Sequence, residues 1–222
     1  MNQPLKISGF ISIISFILLT SCGSTVQDSE GNKYKTIRIG NQEWMAENLN
    51  VSHFRNGDTI HEVRNDKEWE LAGREGKPAW CYFNNNTDNG KKYGKLYNWY
   101  AVSDPRGLTP VGWHIPGGDE WTQLIEKLGG EQIVADKLKS TSGWEADCNG
   151  NNESGFSGLP GGYRHYTGGF NRYDNAGGGY WWASSEGFTY IACSFPLYHS
   201  NGGENRSFTS KARGFSVRCL RD

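Results

Sequence analysis

Residues 112–130 read Gly112-Trp-His-Ile-Pro116-Gly-Gly-Asp119-Glu-Trp-Thr-Gln-Leu-Ile-Glu-Lys-Leu128-Gly-Gly130, and this stretch sets the fold class. Trp121, Leu124, Ile125 and Leu128 recur at helical spacing, so Asp119–Leu128 is expected to be a helix with one apolar face. Its punctuation agrees. Pro116 precedes it, Gly117-Gly118-Asp119 offers a cap and an acidic first turn, Lys127 falls in the last turn, and Gly129-Gly130 ends it. Elsewhere helical pattern is scarce. Glu131–Lys139, with Ile133, Val134 and Leu138, predicts a short helix, and Tyr93, Leu96, Tyr97 and Tyr100 predict another over 93–102. Strands are expected at Thr36–Met45, Tyr180–Ser185, Tyr190–Leu197 and Gly214–Leu220, each bounded by Gly, Asn or Pro. Long Gly- and Asn-rich stretches at 84–90, 147–153 and 168–179 join them. The pattern is that of a loop-rich α+β domain.

Composition narrows the function classes. With 23 Lys+Arg against 24 Asp+Glu, the 222-residue chain lacks the one-sided surplus of a nucleic-acid binder or of a polyacidic disordered tail. Beyond residue 21 it holds 28 Phe, Trp and Tyr against 24 Ile, Val and Leu, so the core is expected to be built from rings. Each ring buries about 150–250 Å², which offsets the shortage of aliphatics. The 30 glycines imply many turns and close backbone approaches.

Residues 1–21 carry one early cation, Lys6, and an uncharged run from Ile7 to Thr20. That run is shorter than the roughly 20 apolar residues needed to span a bilayer, so it reads as a secretory leader. Leu19-Thr20-Ser21-Cys22 resembles a bacterial lipobox. The resemblance implies a signal peptide over 1–21, a lipid on Cys22 and anchorage to the bacterial cell envelope, with the outer membrane as the expected address. Residues 22–33 then read as a flexible tether and 34–222 as one domain.

Several phrases carry a wider likeness: Gly112-Trp-His-Ile-Pro116 with Asp119-Glu-Trp121, Asn152-Glu-Ser-Gly-Phe156, Leu159-Pro-Gly-Gly-Tyr-Arg164, Gly179-Tyr-Trp-Trp-Ala-Ser-Ser185 and Gly214-Phe-Ser-Val-Arg-Cys-Leu-Arg-Asp222. Together with 28–50 and 93–100, these resemble the Fibrobacter succinogenes major paralogous domain over nearly all of the chain after the leader. More distantly they resemble formylglycine-generating-enzyme and C-type-lectin-like folds. The resemblance implies a small twisted antiparallel sheet, two to three flanking helices, adjacent terminal strands and long loops, and it brings no chemistry with it.

Catalytic patterns are weak. The formylglycine-generating enzymes use a copper-binding cysteine pair, yet 204–214, where it would fall, contains no Cys. His53, His61, His114, His165 and His199 occur singly, without zinc spacing. Asp119 and Glu120 read as first-turn acids of the helix rather than as a catalytic pair. Asp147, Asn149, Asn151 and Glu153 gather oxygens on a glycine-kinked loop, and two readings stay open: a Ca2+ site or a plain turn network.

Binding is the remaining class. Tyr163, Arg164, Tyr166, Phe170, Arg172 and Tyr173 interleave rings with cations on a glycine-rich segment, and two readings stay open: a surface for sugar stacking or for anchoring a protein partner, or rings buried in an aromatic core. With Cys22 given to lipid, Cys81, Cys148, Cys193 and Cys219 allow three pairings, of which Cys81–Cys219 and Cys148–Cys193 are expected. The sequence thus points to a non-enzymatic lipoprotein with no obligatory cofactor, binding a glycan or a cell-envelope protein. The alternatives are a structural envelope component and a degenerate enzyme.

Overall fold

The computed structural model describes residues 24–145, 147–171, 178–198 and 206–222. In chain order the elements are β1 (Thr25–Gln27), β2 (Lys33–Ile39), β3 (Gln42–Met45), β4 (His61–Glu62), α1 (Asp66–Arg74), β5 (Ala79–Cys81), α2 (Thr87–Tyr93), β6 (Leu96–Tyr97) and α3 (Trp99–Val102). They continue with β7 (Trp113–His114), α4 (Gly118–Lys127), α5 (Glu131–Leu138), β8 (Tyr163–Arg164), β9 (Phe170–Asn171), β10 (Gly178–Phe188), β11 (Ile191–Tyr198), β12 (Ser207–Ser210) and β13 (Leu220–Arg221). The domain is α+β. Its largest sheet runs β1-β2-β3-β13-β7, beside β10-β11-β12, β4-β5-β6 and the β8-β9 pair. The strand pairings are antiparallel except β4 with β5.

α4 and α5 form where the periodicity places them, and α4 shows why the core is aromatic. Trp121 points inward between Trp44, ring centroids 4.9 Å apart, and Phe195, stacked at 4.8 Å. Phe156 meets Trp44, Trp121 and Trp181 edge-on, completing a ring cluster beneath the helix. Glu120 closes the start of α4. Its Oε2 accepts the Gly117 N–H at 2.8 Å, and its Oε1 lies 3.0 Å from His114 Nε2. The other ring nitrogen, Nδ1, lies 2.7 Å from Asp222 Oδ1. Burial alone would lower the His114 pKa, but the hydrogen bonds to Asp222 and Glu120 outweigh it and hold it above the ordinary value.

Four expectations are corrected. Thr36–Met45 is a hairpin, β2–β3, because Gly40 turns the chain at φ +60°. The helix expected over 93–102 is broken: Gly94, at φ +71°, sits where a Cβ would lie 2.9 Å from Leu49 O, and Asn98 restarts the chain as the cap of α3 by accepting the Ala101 N–H. Gly214–Leu220 is a seam more than a strand. Gly214 bridges Arg164, Phe215 bridges Tyr97 and Ser216 bridges Trp181, so the motif threads between the sheets. Finally, residues 24–33 belong to the folded body instead of a tether. β1 pairs with β2, and the Asp28 carboxylate accepts from Glu30 N, Asn32 N and the Tyr34 hydroxyl. The sequence reading also missed α1, which Asn65 caps at Lys67 N and Glu68 N and which buries Trp69.

Candidate functional site

The β10–β11 hairpin changes character along its length. From Gly178 to Ala183 every residue of β10 is buried, whereas Ser184 to Phe188 alternate toward solvent. Trp182 donates to Tyr97 O and Trp99 donates to Ala183 O, which ties the base to the core. Beyond Ala183 the cover ends. Phe188 and Tyr190 are each 78% exposed and Phe208, on the neighbouring β12, is 46% exposed. Gly187 keeps Phe208 against the hairpin, since a Cβ there would fall 2.6 Å from the ring. Among the described residues the only other exposed ring is Tyr166.

The tip is held rigid by Lys211, a buried lysine from the segment after β12. Its backbone N–H donates to Tyr190 O at 3.0 Å. Its ammonium donates to Thr189 O at 2.9 Å, pairs with Glu186, and lies 4.7 Å above the Trp99 ring. Both connecting residues are therefore fixed through their carbonyls while the Tyr190 ring stays free. Half-buried Tyr100 lies nearby, its phenol raised first by burial and then by the neighbouring Tyr190.

The segment expected to bind ligand folds inward instead. Arg164 is fully buried: it donates to Gly168 O at 2.8 Å and to Val63 O, reaches Asp66 Oδ1 at 3.1 Å, and stacks over Trp69 and Phe170. Tyr163 is buried against Tyr180 and Phe215, and Phe170 packs half-buried on Phe83. Tyr163 and Arg164 are thus removed from the contact surface by the hydrogen bonds and rings around them, and among the described residues of the segment Tyr166 is the one exposed ring. Arg172 and Tyr173 lie outside the described residues, as does Cys22.

The oxygen-rich loop is not assembled around a point. Asn149 Oδ1 accepts Trp144 N, Asn151 accepts Glu153 N and donates to Asp136, Glu153 pairs with Lys137 on α5, and Asp147 is exposed. Among the described residues no three His, Cys, Asp or Glu side chains gather to hold a metal ion.

The cysteine pairing is also corrected, for Cys81, Cys148, Cys193 and Cys219 are free thiols. Cys81 sits in the small core under α1 with Trp69 and Leu96, whereas Cys219 sits in the main core with Met45 and Val217. Cys148 lies at the edge of the α4–α5 core in which Cys193 is buried. Burial pushes the Cys81 thiol up to about 12, and raises Cys219 and Cys193 as well, although Arg206 beside Cys193 pulls the other way. The loop around Cys148 is pinned by backbone hydrogen bonds, Gly150 N to Ser140 O and Asn151 N to Asp136 O.

An α+β domain with a ring-built core and one hairpin that carries its rings outward defines a class by architecture rather than by reaction. Residues 37–221 match the Fibrobacter succinogenes major domain, and the chain belongs to that family. Among curated proteins and among solved structures nothing matches the chain. No helix among the described residues is long and apolar enough to cross a membrane.

Proposed function

We propose that the protein is an exported, non-enzymatic lipoprotein of the bacterial envelope, anchored through Cys22 in the outer membrane, whose domain binds a glycan on the β10–β11–β12 sheet. The observation that carries this reading is the exposure of Phe188, Tyr190 and Phe208 in a chain that spends most of its rings on the core. Single exposed apolar residues are ordinary, but rings grouped on one pinned hairpin and the strand beside it are not. The same segments are otherwise polar, with Ser184, Ser185, Glu186, Thr189, Ser207, Thr209 and Ser210, a composition that suits a sugar better than a wholly apolar partner. Rigidity adds to affinity, because the Lys211 clamp removes ordering cost from the tip before any ligand arrives.

A C-type-lectin-like arrangement is consistent with this reading. β13 lies between β3 and β7, bringing the chain's last strand beside the early ones, and α4 and α5 flank the sheets. The non-enzymatic reading draws on the buried Cys81 and Cys219 thiols, raised away from nucleophilic use, and on Glu186, which is already paired with Lys211. A glycan array probed with the purified protein tests the function. A hit weakened on the order of tenfold or more by Tyr190→Ser supports it. Hits that are indifferent to Tyr190, or a set of pulled-down proteins with no glycan hit, contradict it.

A further inference from the structure

Among the described residues an open groove of about 990 Å³ lies between β2, the end of α2 and the 152–159 loop. Its charge is one-sided. Lys33, Lys35, Arg38, Lys91 and Lys92 line it, and the buried Arg218 closes its floor. Two acids also line it, Glu47, which accepts the Lys35 backbone N–H, and Glu153, which pairs with Lys137 outside the groove, so cations still outnumber acids there. At the groove's edge Glu43 is held by Arg221 and Thr36. The cations are less committed. The Lys91 side chain is 85% exposed with its Asp88 partner 3.6 Å away, Arg38 is 73% exposed with Glu43 3.9 Å away, and the ammonium groups of Lys33 and Lys35 make no ion pair among the described residues. Among the described residues Arg218 donates to neutral acceptors, Asn48 Oδ1, Met45 O and Phe156 O.

The position of this groove identifies its occupant. Ser24 lines it and is fixed in the sheet, its carbonyl accepting Thr36 N at 2.8 Å. Cys22 is two residues away, a reach of at most about 7 Å. That is within the Debye length of about 8 Å at physiological ionic strength, so headgroups around the anchor are felt at the Ser24 end of the groove. The far end of β10 carries the rings. A Cβ on Gly179 would fall 2.8 Å from Leu159 O, which puts the base of β10 beside the groove, and the hairpin tip lies roughly 30 Å further along the strand.

We propose that this basic groove is the membrane-facing side of the domain, its lysines engaging headgroup phosphates of the anionic bilayer that holds the Cys22 lipid, so that the ring-bearing tip is presented away from the membrane. This rests on the Cys22 anchor of the proposed function. The test uses a chain beginning at residue 22 with Cys22→Ser, which keeps every described element and removes the lipid. Flotation with phosphatidylglycerol–phosphatidylcholine vesicles is expected to show binding that weakens with salt and is lost on pure phosphatidylcholine. At about fivefold per lysine, Lys33→Ala/Lys35→Ala/Lys92→Ala lowers partition on the order of a hundredfold. The charge-matched control Lys67→Ala/Arg74→Ala/Lys77→Ala lowers it far less.

Equal loss in both triple variants, or equal binding to neutral vesicles, overturns the proposal. So does displacement from vesicles by inorganic phosphate at constant ionic strength, which would make the groove a discrete phosphate pocket. Mass spectrometry of Cys22 in the membrane-fractionated protein separates the two readings. An unlipidated Cys22 overturns the anchor and this inference with it, whereas a lipidated Cys22 with a groove indifferent to headgroups overturns the inference alone.

Discussion

The β8–β9 and β10–β11 hairpins are both rich in rings and glycine, yet the first packs Tyr163 and Phe170 inward while the second carries Phe188 and Tyr190 outward at its tip. The difference lies in where the organising cation comes from. In β8–β9 the cation is the hairpin's own Arg164, which crosses to Val63 O and Asp66 and draws Trp69 and Phe170 onto its faces. In β10–β11 the cation is Lys211, delivered from outside, and it grips Thr189 O and stacks on Trp99 without touching the exposed rings. An internal clamp consumes the rings beside it. An external clamp on backbone carbonyls stiffens a tip and leaves its rings available.

The largest effect expected from breaking this contrast is at Arg164. Arg164→Ala strands buried carbonyls and loosens two rings, and should cost about 3–5 kcal/mol in urea unfolding. A loss under about 1 kcal/mol would show that Arg164 is not the clamp. Gly168→Ala should cost about 1–3 kcal/mol by the same measurement, because a Cβ there, at φ +103°, would fall 2.4 Å from Asp66 Cα. Lys211→Ala should cost about 1–3 kcal/mol and weaken glycan binding, although it removes no exposed ring. Unchanged affinity with reduced stability would separate rigidity from recognition.

A smaller effect sharpens the other side of the comparison. Gly118 N donates to Ser185 Oγ, so the start of α4 braces the outward hairpin, and His114 braces the start of α4 through Glu120. The folded-state pKa of His114 is raised, so its protonated form stabilises the fold. That contribution is complete below the unfolded value of about 6.5 and is lost as pH rises through the higher folded value. With the side chain 37% exposed, solvent screening holds the loss below about 1 kcal/mol, and His114→Gln should flatten it. A pH profile of melting temperature that stays the same in the variant would contradict the assignment.

Much of the architecture could be read from residues alone. The α4 face of Trp121, Leu124 and Ile125 carried both its periodicity and its caps, and the ratio of rings to aliphatics announced the Trp44–Trp121–Phe156 cluster. The helix over 93–102 failed because periodicity ignores Gly94 and Asn98, whose conformation and capping overrule it. The site was harder to read. Tyr163 and Arg164 have the composition of a binding surface, and only contacts about 100 residues away in sequence, Arg164 to Val63 and Asp66, reveal that they are core. The ring pair at Phe188 and Tyr190 did leave a signal. A ring that ends one strand and a ring inside the two-residue connection to the next have little space in which to be buried.

The account turns on one separation, stability at Arg164 and recognition at the outward tip. Urea unfolding and glycan affinity measured on the same Phe188→Ser/Tyr190→Ser protein test it most directly. Stability should stay within about 0.5 kcal/mol of the parent while binding is lost. Retained binding, or binding lost only together with the fold, would contradict it.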